Sequence, residues 1–313
     1  MRMLNLHICI AKSRDMIIPP NLKAGDKVAI TCPAKKLPGD INDAVKLLES
    51  WGLNVVLGET VFASFHQYAG TDELRTKDLQ QFLDDNSIKA IFAARGGYGT
   101  IRIIDDLNFS GFEKNPKWIV GFSDITVLHS HIYAHYKAQS IHGQMPLSIP
   151  DATKYSLESL RKALFGEHLE YTYESMDLNK PGIAEGILAG GNLSILLALS
   201  GSVSEIDFKD KILFIEDVGE YLYSIDRMMW NLKRAGKLAG LKGLITGGFT
   251  GLKDNEIPFG KTAEEIIYEH VKDYNYPVCF NFPAGHIPDN YALVFGKTAT
   301  LKVEAEQVHL FFE

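Results

Sequence analysis

KWIVGFSDITVLHSHIYAHY, Lys117 to Tyr136, holds an apolar run, a Gly-Phe-Ser-Asp corner and then apolar residues at helical spacing. That is a strand, a sharp turn and a helix, the repeating unit of a parallel sheet. Upstream the same unit recurs. KVAITCPA (Lys27 to Ala34) reads as a first strand, and DINDAVKLLESWG (Asp40 to Gly52) as a helix stopped by its glycine. LNVVLGE follows as a second strand. Thr71 caps a helix over TDELRTKDLQQFLDD (Thr71 to Asp85), with acids in its first turn, and IKAIFAA (Ile88 to Ala94) is the next strand. Downstream, residues 151 to 180 turn polar and mixed, with a short helical segment, SLESLRKALFG, and no strong strand signal. Beyond them come glycine-rich strands, EGILAGG, KILFIEDV and GLITGGF. The final stretch, YALVFGKTATLKVEAEQVHLFF, alternates apolar and polar residues like an antiparallel ribbon. The expected fold is α/β: a doubly wound N-terminal domain with a mostly parallel sheet over 16–150, a linker over 151–180, and a smaller β-rich C-terminal domain over 181–313.

Composition narrows the function. The 313 residues are 46% hydrophobic and 23% charged, which suits a globular chain of about two domains. A formal net charge of -7 argues against a nucleic-acid or anionic-membrane surface, because phosphate binding rests on clustered Lys and Arg. Three separated cysteines, Cys9, Cys32 and Cys279, give neither a disulfide framework nor a CxxC metal pattern, so a reducing compartment is the simplest reading. In MRMLNLHICIAKSRD, residues 1–15, Asn5, His7 and Lys12 interrupt the apolar run and leave it too poor for a signal peptide. It reads as an N-terminal arm or an upstream start. No stretch approaches the roughly 18 to 20 apolar residues of a membrane span.

Four places could carry chemistry. Ser123 stands where a strand gives way to a helix, a nucleophile's position whose neighbouring N–H groups can receive an oxyanion. Ile125 replaces the second glycine of a GxSxG elbow, and a serine there also serves as a plain helix cap. ARGGYGT, Ala94 to Thr100, lacks both the dinucleotide and the P-loop patterns. It is either a tight turn or a donor loop, with Gly97 the candidate oxyanion donor and Arg95 a candidate ligand for a substrate carboxylate. In FIEDVGEYLYSIDRMMW a buried strand runs into Glu216, Asp217 and Glu220; a carboxylate there needs a partner, and orienting an imidazole is one such role beside that of a solvated loop. Of ten histidines, His131 and His135 share a helix face but have no HExxH order or acidic partner, so no metal is expected near them or near His129 and His142. His286 lies in a Pro- and Gly-rich loop, FPAGHIPDNYALVFG, a setting in which functional groups concentrate.

Taken in order, PPNLKAGDKVAITCPA, ARGGYGTIRIIDDL, GFSDITVLH, HGQM, LAGGNLSILLAL, LFIEDVGEYLYSIDRMMW and PAGHIPDNYALVFG resemble the LD-carboxypeptidase family of serine peptidases, which includes the microcin C self-immunity hydrolases. The resemblance runs from Ile17 onward. It implies Ser123 as nucleophile, Glu216 as acid and His286 as base, with the backbone N–H groups of Gly97 and Asp124 as oxyanion donors and Asn192 as a substrate contact. The triad then spans two domains. The implied reaction needs no metal or cofactor: a cytoplasmic homodimer releases terminal D-alanine from an L,D-linked murein tetrapeptide. Two readings compete, an immunity-type hydrolase of peptidyl or aminoacyl nucleotide amides and a non-catalytic two-domain binding protein. An aromatic residue stacked on a base would favour the former; Trp230 reads instead as a helical core or interface residue. HGQM stands where many relatives have HGP, and Gly247 to Phe249 where a polar residue is common; both are expected to alter substrate fit.

Overall fold

The computed structural model describes residues 15–313, so Cys9 and all of the N-terminal arm but Asp15 lie outside the described residues. The first half builds β1 (Lys27–Thr31), α1 (Asn42–Ser50), β2 (Asn54–Leu57), α2 (Asp72–Asp84), β3 (Ile88–Ala93), α3 (Ser110–Lys114), β4 (Trp118–Gly121), α4 (Thr126–Tyr136) and β5 (Ser140–His142). β1 to β5 run parallel in the order β5-β4-β3-β1-β2. β1, β3 and β4 are buried on both faces, which is why they read as continuous apolar runs, whereas the edge strand β2 is largely exposed. The Thr71 side chain accepts the Leu74 N–H and caps α2, as its sequence predicts.

The second half contributes α5 (Lys154–Phe165), β6 (Glu170–Glu174), β7 (Gly182–Asn192), α6 (Leu193–Ala198), β8 (Lys211–Val218), α7 (Leu222–Arg234), β9 (Gly243–Thr250), α8 (Ala263–Val271), β10 (Val278–Cys279), β11 (Leu293–Phe295), β12 (Thr298–Val303) and β13 (Gln307–Phe312). Seven of these strands form one sheet, β10-β9-β8-β7-β12-β13-β6, parallel from β7 to β10 and antiparallel from β7 through β12 and β13 to β6.

Two expectations need correction. The segment 151–180 is not a plain linker: α5 fills most of its first half, and β6 closes the edge of the second sheet against β13. Its sequence, EYTYE, does alternate, turning Tyr171 and Tyr173 inward between exposed Glu170, Thr172 and Glu174, but with three strongly polar residues in five the signal is weak. Nor does 181–313 fold wholly in the second unit. β11 crosses back and pairs antiparallel with β5, as the sixth strand of the first sheet. Leu188, Phe214, Ile245 and Phe282 of the second unit pack in one apolar cluster with Val28, Ile30, Phe92 and Val120 of the first. The two sheets therefore share a core, and side chains at their junction are held as firmly as those inside either half.

Candidate active site

β4 ends at Gly121, Phe122 is extended, and Ser123 takes φ +64°, the left-handed region that costs an L-residue roughly 1–2 kcal/mol. A single 3₁₀ turn over Ser123–Ile125 then feeds α4. Neighbours pin the corner. A Cβ on Gly121 would lie 2.9 Å from the Ile125 side chain, so the missing methyl is what lets Ile125 fold back onto the strand. The fully buried His129 donates Nε2–H to the Gly121 carbonyl at 2.9 Å, and burial pushes this imidazole down to about 4, so it stays neutral. The carboxylate of buried Asp124 accepts the Thr100 N–H at 2.9 Å, tying the glycine loop after β3 to the corner.

That loop lies on the serine. A Cβ on Gly96 would sit 2.9 Å from Ser123 Cβ, 3.1 Å from its Oγ and 3.3 Å from the Asp124 nitrogen. The contact belongs to Gly96, which the sequence reading passed over in favour of Gly97. Gly97 has φ +117° and carries the stem of Lys35 across its Cα. Among the described residues the Gly97 and Asp124 N–H groups meet no protein acceptor.

Glu216 comes from β8, fully buried, where a register shift between Ile215 and Asp217 interrupts the pairing with β9. Glu216 and Asp217 diverge, as strand neighbours do. Asp217 accepts from Ser194 N–H at 2.8 Å and Asn192 Nδ2 at 2.9 Å, holding the start of α6; burial, then the charge of Glu216, push its carboxyl up to about 6. Glu216 points the other way, and its Oε2 lies 2.6 Å from His286 Nδ1. A nitrogen facing a carboxylate at that distance carries the proton, which leaves Nε2 as acceptor toward Ser123 Oγ, 3.1 Å away. Burial alone would lower the His286 pKa, but the Glu216 hydrogen bond and charge, with that of Asp217, outweigh it and set the value above normal. Phe122 packs edge-on against the imidazole, with centroids 4.9 Å apart.

Glycines admit the His286 loop to this place. A Cβ on Gly285 (φ +111°) would meet Glu216 Cβ at 2.9 Å, and one on Gly247 would meet the Ala284 carbonyl at 2.3 Å. Gly248 donates its N–H to that carbonyl at 2.8 Å. The paired glycines, expected to act on substrate fit, thus make room for the loop that carries the imidazole. Gln144 of HGQM acts on the same loop: it is buried, and its Nε2 donates to the Pro288 carbonyl at 2.9 Å.

Asn192 departs from expectation. Its Nδ2 goes to Asp217, its Oδ1 accepts from Ser194 Oγ and the Ile195 N–H, and its backbone N–H donates to Thr126 Oγ1 at 3.0 Å. It is a buried cap that seats α6 and joins β7 to α4. Arg95 spends one guanidinium N–H on the Lys36 carbonyl at 2.9 Å. His131 bonds Ser204 Oγ at 2.9 Å and stacks near His135, a packing role. On α7, Met229 is buried, while Trp230 is half exposed and packs edge-on to His270. Gly96 and Gly285 were missed because each matters through a contact distant in sequence; only the doubled glycine of ARGGYGT hinted at the first.

Comparison with known proteins identifies the family. Residues 28–143 match the LD-carboxypeptidase N-terminal domain and residues 185–301 the C-terminal domain. The chain is 34% identical to a probable murein peptide carboxypeptidase of Bacillus subtilis, over 90% of this chain and 91% of that one. It is 32% identical to a murein tetrapeptide carboxypeptidase of Pseudomonas aeruginosa, over 88% and 93%. The crystal structure of a muramoyltetrapeptide carboxypeptidase from Oxalobacter formigenes superposes with a TM-score of 0.83 at 28% identity, covering 91% of this chain and 98% of that one. The microcin C7 self-immunity protein MccF, in complex with aspartyl sulfamoyl adenosine, gives the same TM-score at 20% identity, over 94% and 97%, a likeness of fold. With both domain models matched in order and full-length relatives above 30% identity, this chain belongs to the LD-carboxypeptidase family of serine peptidases.

Proposed function

We propose that this enzyme hydrolyses the L,D-amide bond that releases terminal D-alanine from murein tetrapeptides, with Ser123, His286 and Glu216 as its catalytic triad. The observation that carries the reading is the unbroken line Ser123 Oγ, His286 Nε2, His286 Nδ1, Glu216 Oε2, at 3.1 and 2.6 Å, on a serine in the left-handed region. His286 takes the hydroxyl proton as Ser123 Oγ attacks the amide carbonyl, and Glu216 holds the tautomer and stabilises the imidazolium. The oxyanion forms between the Gly97 and Asp124 N–H groups. The imidazolium then protonates the leaving amine of D-alanine, and water deacylates the serine under the same base.

Murein peptide as substrate rests on the relatives' activities. Its terminal carboxylate calls for a cation at the mouth. Arg95 and Lys35, which flank the glycine loop, are the candidates. We place the enzyme in the cytoplasm as a homodimer. No helix among the described residues is long and apolar enough to cross a membrane, and half-exposed Trp230 on α7 offers an apolar contact. Sedimentation at micromolar concentration tests the dimer, and fractionation of cells tests the compartment.

The test of substrate is a panel with a chelator present throughout: a tetrapeptide ending in L,D-linked D-alanine, the same peptide with terminal L-alanine, and an aminoacyl sulfamoyl adenosine. D-alanine release from the first alone supports the reading. Turnover of the nucleotide amide alone would replace it.

A further inference from the structure

β5 lies between the nucleophile's strand and β11, and one residue faces both: His142 is in register with Gly121 on β4 and with Leu293 on β11. The loop from Gly285 to Ala292 therefore leaves the second sheet carrying His286 and lands beside β5, the neighbour of the strand that leads into Ser123. Within that loop, Asn290 is completely buried. Its Oδ1 accepts the Gly285 N–H at 2.8 Å, which fixes the amide's orientation, since only the oxygen can accept. The same oxygen lies 3.2 Å from His142 Nε2, so that nitrogen must be the donor. Burial holds the His142 imidazole neutral, and the rings of Phe122, Phe214 and Phe295 surround it.

One oxygen thus takes two hydrogen bonds, from the residue next to the base and from the sheet that ends at the nucleophile. Gly285 is pressed against Glu216 on its other side. Its peptide has little freedom between the acid and Asn290, and the His286 ring position follows from it. Resting on the triad reading above, we infer that Asn290 and His142 are positioning residues, which transmit the place of the nucleophile's strand to the backbone before His286 and so hold the 3.1 Å serine–imidazole distance. Neither touches substrate. They act through Gly285, by the rule that a catalytic pair is only as well placed as the groups behind it.

The test uses a fluorophosphonate probe, which reports serine reactivity whatever the peptide substrate, alongside kcat and KM for the tetrapeptide. Asn290→Ala, folded by circular dichroism, should lose about 10- to 100-fold in both probe inactivation rate and kcat, with KM unchanged within about twofold. His142→Gln keeps a donor where Nε2 stands and should retain most of the activity, whereas His142→Phe fills the space without a donor and should fall with Asn290→Ala. A merely structural role would lower the melting temperature of His142→Gln and His142→Phe without separating their kcat values. If Asn290→Ala does not fold, the His142 pair decides. Asn290→Ala reacting at the wild-type rate, or equal kcat for the two His142 variants, overturns the inference alone; a wild type that the probe fails to label removes the triad reading, and the inference with it.

Discussion

Gly96→Ala is a small change with a large expected effect. Gly96 is not among the positive-φ glycines, so alanine meets no backbone penalty there, and any effect comes from its methyl group. That methyl would stand 2.9 Å from Ser123 Cβ and 3.1 Å from Oγ, against an ordinary carbon contact of about 3.5–4.0 Å. Something must move by about 0.6 Å. On one side is the corner held by His129 and Ile125, on the other the glycine loop tied to Asp124, so the shift falls between nucleophile and oxyanion donor. Since a misplacement of about 1 Å can cost about 100-fold, kcat should fall about 10- to 100-fold, with about 1–3 kcal/mol lost from stability by overpacking. D-alanine release gives the first number and denaturant unfolding the second. Gly39→Ala is the control, because a Cβ there meets nothing within 4 Å. A Gly96→Ala enzyme with kcat within twofold of wild type would refute the placement of the loop against the serine.

The other predictions concern charge. The base must be neutral to accept the serine proton, so kcat/KM should rise with pH through a midpoint above 6.5, the ordinary histidine value, because Glu216 overrides burial at His286. Glu216→Gln removes that upward pull: the midpoint should move to lower pH while kcat drops by about 10³- to 10⁴-fold, and a pH profile in which the midpoint stays or rises would contradict the assignment. His129, lowered from 6.5 to about 4, contributes stability that is fully present above pH 6.5 and is lost as pH falls toward 4, roughly 3 kcal/mol in all. Urea unfolding at pH 7 and pH 4.5 should show this loss in wild type and a smaller one in His129→Gln. Arg95→Gln should raise KM for the tetrapeptide about tenfold and leave kcat within threefold, the mark of a carboxylate receiver; a loss confined to kcat would assign Arg95 to holding the Lys36 loop instead.

The sequence showed most clearly what is local. Ser123 was legible because strand, corner and helix are contiguous, and Thr71 because a cap acts within one turn. Glu216 and His286 stood open on their residues alone, each as well explained by a solvated loop, and ordered likeness to a family singled them out. Their meeting depends on a contact between residues 70 apart, and the meeting of His286 with Ser123 on one between residues 163 apart, which no local pattern encodes. Asn192 shows the converse error: next to two glycines at a strand end it looks like a ligand, yet the buried carboxylate of Asp217 claims its amide. β6 was hidden by its polar residues, and β11 by apparent continuity with β12, because three apolar residues cannot say which sheet they join. The glycines at 96, 247 and 285 read as parts of a turn, a strand and a loop, whereas their missing side chains matter as space for another segment.

The central claim is that Ser123 forms the acyl-enzyme with His286 as its base. It is tested most directly by D-alanine release from murein tetrapeptide by wild type and Ser123→Ala, with chelator in both and with the fluorophosphonate adduct mapped by mass spectrometry. The account predicts turnover and a single adduct on Ser123 in the wild type, and neither in the variant. Equal release by the two proteins, or an adduct on another residue, would contradict it.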